Sequence, residues 1–337
     1  MIQVSVGLAV AVLAAGSAPS RAESGAGSVA GSADAAPAAV DATDRVEIEY
    51  RKLLAEDDAA QAEVDQWIRE NKSAKEEGPD FTSVTLNARI EQRTEPVRRA
   101  YRSFLERHPK HVRARLAFAS FLNDVGQDEE AFAQFKEARD LDPKNPAVWN
   151  NLADYHSRHG PTRLAFECLD EAIRLKPGEP VYHRNLATLL FLFRKEAQAH
   201  YRLADEQQVL RRALESYRKA RRLDPGNFPL ATDLAQVYYY LKPDGGGDPA
   251  ALKASADKLA DEGLRAWHDA RALARSDLDR EGIAVHLARI CLTAGRLDQA
   301  RQHLAQIQHP SLDTAKQALE SALERFEKGE PVPSGEF

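Results

Sequence analysis

Sulfur is scarce in this chain, whose 337 residues hold two cysteines, Cys168 and Cys291, and a single methionine, Met1. So small a number excludes a disulfide framework or a cysteine-rich zinc cluster. Each cysteine lies within an apolar helical pattern, the setting of a small buried hydrophobe. Positive charge is not in surplus either: 46 Lys and Arg stand against 52 Asp and Glu, a net charge of -6. No global basic field is therefore available to gather nucleic-acid phosphates, and no nucleic-acid partner is expected. Long apolar runs are missing as well. The twelve small and apolar residues at 4–15 fall short of the about 20 that cross a bilayer, so no integral membrane span is expected in the mature protein. Also lacking are a Gly-Lys-Ser/Thr phosphate loop, a Gly-x-Ser-x-Gly elbow, a dinucleotide fingerprint and a His-Glu-x-x-His run. Catalytic residues, cofactors and metals are accordingly not expected.

The run at 4–15 suits the core of a signal peptide, with Ser20-Arg21-Ala22 as a small-residue cleavage site before Glu23, although Met1-Ile2-Gln3 supplies no basic residue. Residues 1–22 are read as a signal peptide and the protein as exported, periplasmic or secreted; the rival reading is cytoplasmic. Residues 23–43, mainly Gly, Ala and Ser, bury too little to offset ordering and read as a disordered linker. From Asp44 a helical stripe of Val46, Tyr50, Leu53, Leu54, Val64, Trp67 and Ile68 predicts one long helix ending near Asn71, followed by a linker to residue 80.

An internal repeat dominates the middle of the chain. Pro109, Pro143 and Pro177 are spaced 34 residues apart, each closing a helix-like segment. Ala119, Ala153 and Ala187 recur in phase, as do Gly126 and Gly160, Ala131 and Ala165, Ala138 and Ala172, and Phe118, Leu152 and Leu186. Alanines let paired helices approach, larger residues such as Phe135 and Leu169 fill the space beside them, glycine suits a left-handed cap between helices, and proline stops the second helix.

The run Trp149-Asn150-Asn151-Leu152-Ala153-Asp154-Tyr155, followed by Gly160, Ala165, Ala172 and Pro177, resembles the tetratricopeptide-repeat (TPR) family. The likeness is strongest over 112–190 and extends over about 95–308. It implies an all-α, right-handed superhelical solenoid of helical hairpins over 81–310, with units at about 81–111, 112–145, 146–179, 180–225, 226–280 and 281–310. A capping helix at 311–328 and a disordered tail at 329–337 complete the expectation. The 180–225 unit carries fourteen extra residues around 194–207, read as the first helix running on before it turns back. The segment 242–249, rich in Gly and Pro, breaks a helix and reads as a hairpin loop.

The resemblance places function in a concave groove lined by the first helix of each unit and holding a partner protein or peptide. Groove positions by that frame are Leu116, Ser120 and Asn123, then Asn150, Asp154 and Ser157, then Arg184, Thr188 and Phe191, with Arg113 and Arg158 flanking. The expected role is a non-catalytic interaction scaffold, in the bacterial cell envelope if exported. Some relatives clamp a carboxylate with a Lys and an Asn on the first helix of the first unit. Leu116 and Ser120 stand in those places here, leaving Asn151 and Arg184 as other readers of an acidic group. The rival reading is a carbohydrate-handling or hydrolytic module whose pocket is built by 194–207 and 242–249, with Asp154, Arg158 and His183 converging. His108 with His111 and His156 with His159 are each three apart, but helix capping explains them better than a metal. Of Tyr238, Tyr239 and Tyr240, at least one must enter the core.

Overall fold

The computed structural model describes residues 45–75, 82–244 and 246–330, so the expected signal peptide, the 23–43 linker and most of the tail lie outside the described residues. Fourteen α-helices and no strands occur among them. The chain divides into two compact units, meeting in sequence between Pro177 and Gly178.

The first unit contains three helical hairpins. Helices α1 (Arg45–Lys75) and α2 (Thr82–Arg107) form a long one, α3 (Val112–Asp124) and α4 (Asp128–Leu141) the next, and α5 (Pro146–His159) and α6 (Thr162–Leu175) the last. Local chemistry sets the boundaries. His111 caps α3 by accepting the Ala114 amide on Nδ1 at 3.0 Å, and Asn145 caps α5 through the Ala147 amide at 3.0 Å, with Pro146 in the first turn, where no donor is lost. Gly126 ends α3 at φ +74°, a conformation that costs a residue bearing Cβ but not glycine.

One expectation is overturned here. No separate hairpin fills 81–111: α2 is a single 26-residue helix running through Pro96, and its partner is α1. Proline costs a helix one amide donor, and the long face packed on α1 outweighs that loss. Tyr50, Tyr101, Phe104, Phe118 and Phe121 are all at most 1% exposed and knit α1, α2 and α3 together, with the Tyr101 and Phe118 rings stacked at 5.1 Å. Each such side chain contributes roughly 2 kcal/mol by leaving water. Within this core lies the Asp57 carboxyl group. Asp57, 5% exposed, accepts hydrogen bonds from Tyr101 Oη at 2.5 Å and Gln61 Nε2 at 2.7 Å.

The second unit begins with α7 (Pro180–Leu192), α8 (Arg194–Tyr201) and α9 (Glu206–Leu223). The fourteen-residue insertion is not a continuation of α7. The helix breaks at Phe193, where ψ reaches 54°, and a new two-turn helix starts at once, ending at Arg202 in the left-handed region. A chain of apolar residues followed by Arg-Lys-Glu-Ala gives no hint of that break from propensity alone, and α8 settles against α9 by burying Ala197. Next come α10 (Phe228–Gln236), extended by the 3₁₀ turn Val237–Tyr239, and α11 (Pro249–Arg271). Helices α12 (Asp277–Thr293), α13 (Leu297–Leu304) and α14 (Asp313–Lys328) close the unit. Ser276 and Asp279 form a reciprocal capping box at the start of α12, with amide contacts of 3.0 and 3.2 Å. Gly263 lets α11 approach closely: a Cβ there would lie 3.1 Å from Ile290 Cδ1 and 3.3 Å from Tyr238 Cβ. Trp267, fully buried, stacks on His286 at 4.0 Å and 5°, and Tyr239 Oη lies 3.0 Å from His286 Nδ1. Burial pushes the His286 imidazole down to about 3, so it is neutral. Helix α14 covers this core with Leu319, Ala322 and Leu323.

Candidate functional site

In the first unit, α3 and α5 are neighbouring first helices, and their exposed faces carry most of the positions singled out in sequence. Ser120 and Asn123 of α3 are half-buried, with side chains that hold no hydrogen bond among the described residues. On α5, Asp154 pairs with Arg158 one turn later, and Ser157 Oγ donates to the Asp154 carbonyl at 2.7 Å. Asp154 and Arg158 are half exposed, so the pair is readily exchanged for a partner's charges. Arg113 is held elsewhere: it reaches Glu47 at 3.1 Å and lies 4.8 Å over the Tyr50 ring, both on α1.

Two of the expected groove residues are corrected. Leu116 is 4% exposed and Asn150 is 2% exposed, so neither offers a surface to a ligand; Asn151, at 4%, does not either. The reason is packing. A first helix is flanked by its own second helix and by the first helices before and after it, so α3 is covered by α1, α4 and α5 and keeps only a narrow exposed strip.

In the second unit, Arg184 on α7 is bound through Nε and Nη2 to Asp233 on α10, at 2.9 and 2.8 Å. Burial raises the Asp233 carboxyl above its ordinary value in spite of this guanidinium. Thr188 Oγ1 and Tyr217 Oη share a 2.9 Å hydrogen bond. Phe191 meets Tyr240 edge to face at 4.9 Å, under the Arg194 guanidinium. Arg184 and Thr188 are thus engaged within the protein, while the Phe191 and Tyr240 rings are only partly covered.

The insertions meet but do not enclose a site. Gln207 donates to the Tyr240 carbonyl at 3.0 Å and accepts the Lys242 amide at 2.7 Å, and Arg211 pairs with Asp244 at 2.7 Å. A cleft of about 440 Å³ in this unit is lined by α9, α10, Tyr238 and α11, not by either insertion.

Residues 40–146 match a family model described as TmcB, TPR repeats. Over that stretch, from α1 to the first residue of α5, the sequence is similar to TPR repeats. No curated protein matches it in sequence. Among solved structures, the chain is similar to YrrB, itself described as a TPR protein with an unusual peptide-binding site, at 14% identity and a TM-score of 0.47, over 68% of this chain and 98% of that one. It is similar to PilF of Pseudomonas aeruginosa at 16% identity and a TM-score of 0.47, over 73% and 96%. To MamA the figures are 17%, 0.40, 58% and 95%.

TPR hairpins are the framework of protein-interaction scaffolds and are in general not catalytic. Three of the histidines singled out in sequence are placed as structural parts. His111 caps α3, His159 Nδ1 lies 3.0 Å from the Tyr155 carbonyl and its Nε2 3.1 Å from Asp128, and His156 Nδ1 lies 3.4 Å from the Gly160 carbonyl. Among the described residues, no group of three His, Cys, Asp or Glu side chains is placed to hold a metal ion, and no helix is long and apolar enough to cross a membrane. Cys168 and Cys291 are free and buried, and burial pushes both thiols up to about 11. Sequence reasoning passed over the arginines of α9. The run from Arg218 to Arg222 was the available signal, but on a helix such a run reads first as a solvated face.

Proposed function

We propose that this TPR protein is a non-catalytic scaffold that holds a partner protein or peptide on the face formed by its first helices. In the first unit the contact residues are Ser120 and Asn123 on α3 and Asp154, Ser157 and Arg158 on α5; in the second, Phe191 supplies an apolar contact with Tyr240 beside it. The observation that carries this reading is the exposed strip of α3 and α5. Its side chains are polar, its two amide and hydroxyl groups on α3 lack partners among the described residues, and its one ion pair is exposed and exchangeable. A surface of that kind offers hydrogen bonds and charge to an extended segment without unfolding anything. The reading extends to the bacterial cell envelope on the support of the apolar run at 4–15 and the small residues at Ser20 and Ala22.

Affinity capture from the native cell with the wild-type chain and with a Ser120→Ala/Asn123→Ala/Asp154→Ala/Arg158→Ala variant tests the surface. A partner enriched with the wild type and lost with the variant, at unchanged far-ultraviolet circular dichroism, is the expected result. Identical sets of captured proteins would remove the first-helix face from the function. The intact mass of the protein from an extracytoplasmic fraction, starting at Glu23, tests the location; a full-length mass in the cytosolic fraction contradicts it.

A further inference from the structure

The cleft of about 440 Å³ in the second unit lies on the side of α10 away from α7. Asp233 points to α7, where it holds Arg184. Ala231, Leu234 and Tyr238 fall on the opposite side of the same helix and its 3₁₀ extension, at three- and four-residue spacing, and form the floor of the cleft. The walls come from two second helices: α9 contributes Arg218, Arg221 and Arg222, and α11 contributes Arg265 with the carboxylates Glu262 and Asp269.

Most of this positive charge is not neutralised. Arg218 donates to Tyr238 Oη at 2.8 Å and to Glu262 at 3.2 Å, which accounts for one carboxylate and one guanidinium. Arg221 is fixed by the carbonyl oxygens of Asp224 and Pro225, neutral acceptors that orient it without cancelling its charge. Arg222 and Arg265 are exposed and hold no ion pair among the described residues. Three arginines around one apolar floor thus face Asp269 alone, in a chain whose net charge is -6. Guanidinium forks match carboxylates in pairs, and a floor of Ala231, Leu234 and Ala266 matches an aliphatic side chain.

We propose that this cleft is a second binding site, for an acidic peptide segment in which carboxylate side chains flank an aliphatic residue. The aliphatic group lies on the floor made by α10, and the carboxylates reach Arg221, Arg222 and Arg265. A nucleic acid strand fits less well: the aromatic ring in the cleft, Tyr238, has its hydroxyl tied to Arg218 and Glu262 and is partly packed, so no free stacking platform is offered.

The test uses the full chain and a fluorescein-labelled synthetic peptide in which glutamates flank one leucine, read by fluorescence anisotropy. Binding that weakens with salt, and that falls about tenfold or more with Arg222→Glu/Arg265→Glu, is the expected result. Both positions are exposed, so the thermal midpoint should hold; should it fall, Arg222→Gln/Arg265→Gln gives the same comparison without charge reversal. A peptide with glutamines for glutamates should not bind, and one with glycine for leucine should bind measurably more weakly. Equal binding by wild type and both variants overturns the site. Equal affinity for the glycine peptide, or full displacement by an oligothymidine of similar length, shows a general polyanion surface and likewise overturns the proposal. The variant altered at Ser120, Asn123, Asp154 and Arg158 should bind the acidic peptide as wild type does, so the two surfaces stand or fall separately.

Discussion

Asp57 gives the first unit a pH dependence of definite sign. Its carboxyl is 5% exposed, and burial raises it from an ordinary value of 3.8 to about 6, against the lowering effect of the hydrogen bonds from Tyr101 and Gln61. The folded value lies above the unfolded one. The favourable contribution is therefore fully present below about pH 4 and is lost as the pH rises through 6, where folding must carry a buried anion. A difference of about two pH units corresponds to roughly 3 kcal/mol. Replacing Asp57 with Asn keeps the shape and the hydrogen-bonding capacity but removes the titration. Urea denaturation followed by circular dichroism, at pH 4 and pH 8, reads the effect as a difference between the two proteins, in which all other titrating groups cancel. The Asp57→Asn protein should gain roughly 3 kcal/mol relative to wild type between the two pH values. Parallel pH profiles for the two proteins would refute the account, showing either that water reaches the carboxylate or that the ionised form is stabilised by groups other than Tyr101 and Gln61.

Two further outcomes concern the turns and the thiols. Gly126→Ala should destabilise the first unit by about 1–2 kcal/mol, because φ is +74° there; since nothing lies within 4 Å of the added methyl group, the effect is conformational, and Asn should be tolerated better than Ala. Equal urea midpoints for wild type and the Gly126→Ala protein would contradict it. Cys168 and Cys291 should resist iodoacetamide at pH 8 in the folded protein and react fully in urea, as judged by mass spectrometry, because both thiols are buried and pushed up to about 11. Rapid native alkylation of either would mean that its helix opens readily.

The helical class and the glycine between α3 and α4 were legible because both follow from local rules: a 34-residue period of small, large and turn-forming residues, and a backbone conformation that favours one residue type. What was not legible depends on neighbours in space. The repeat frame expects a hairpin unit at about 81–111, yet α2 runs unbroken through Pro96 because α1 supplies a long partner face. Leu116 and Asn150 occupy positions that a repeat frame turns toward a ligand, but flanking first helices cover them. Arg222 and Arg265 are 43 residues apart, and only the docking of α9 and α11 around α10 makes them face the same cleft.

The stacked pair of Trp267 and His286 has an effect that runs against that of Asp57. Protonating His286 would place a cation between an indole ring and the Tyr239 hydroxyl, away from water, and its value of about 3 lies below the ordinary 6.5. Its contribution is complete above pH 6.5 and drains away as acid brings the solution toward 3. Mild acid should therefore strengthen the packing at Asp57 while weakening it at His286, so that two buried groups of a single chain answer the same titration with opposite sign.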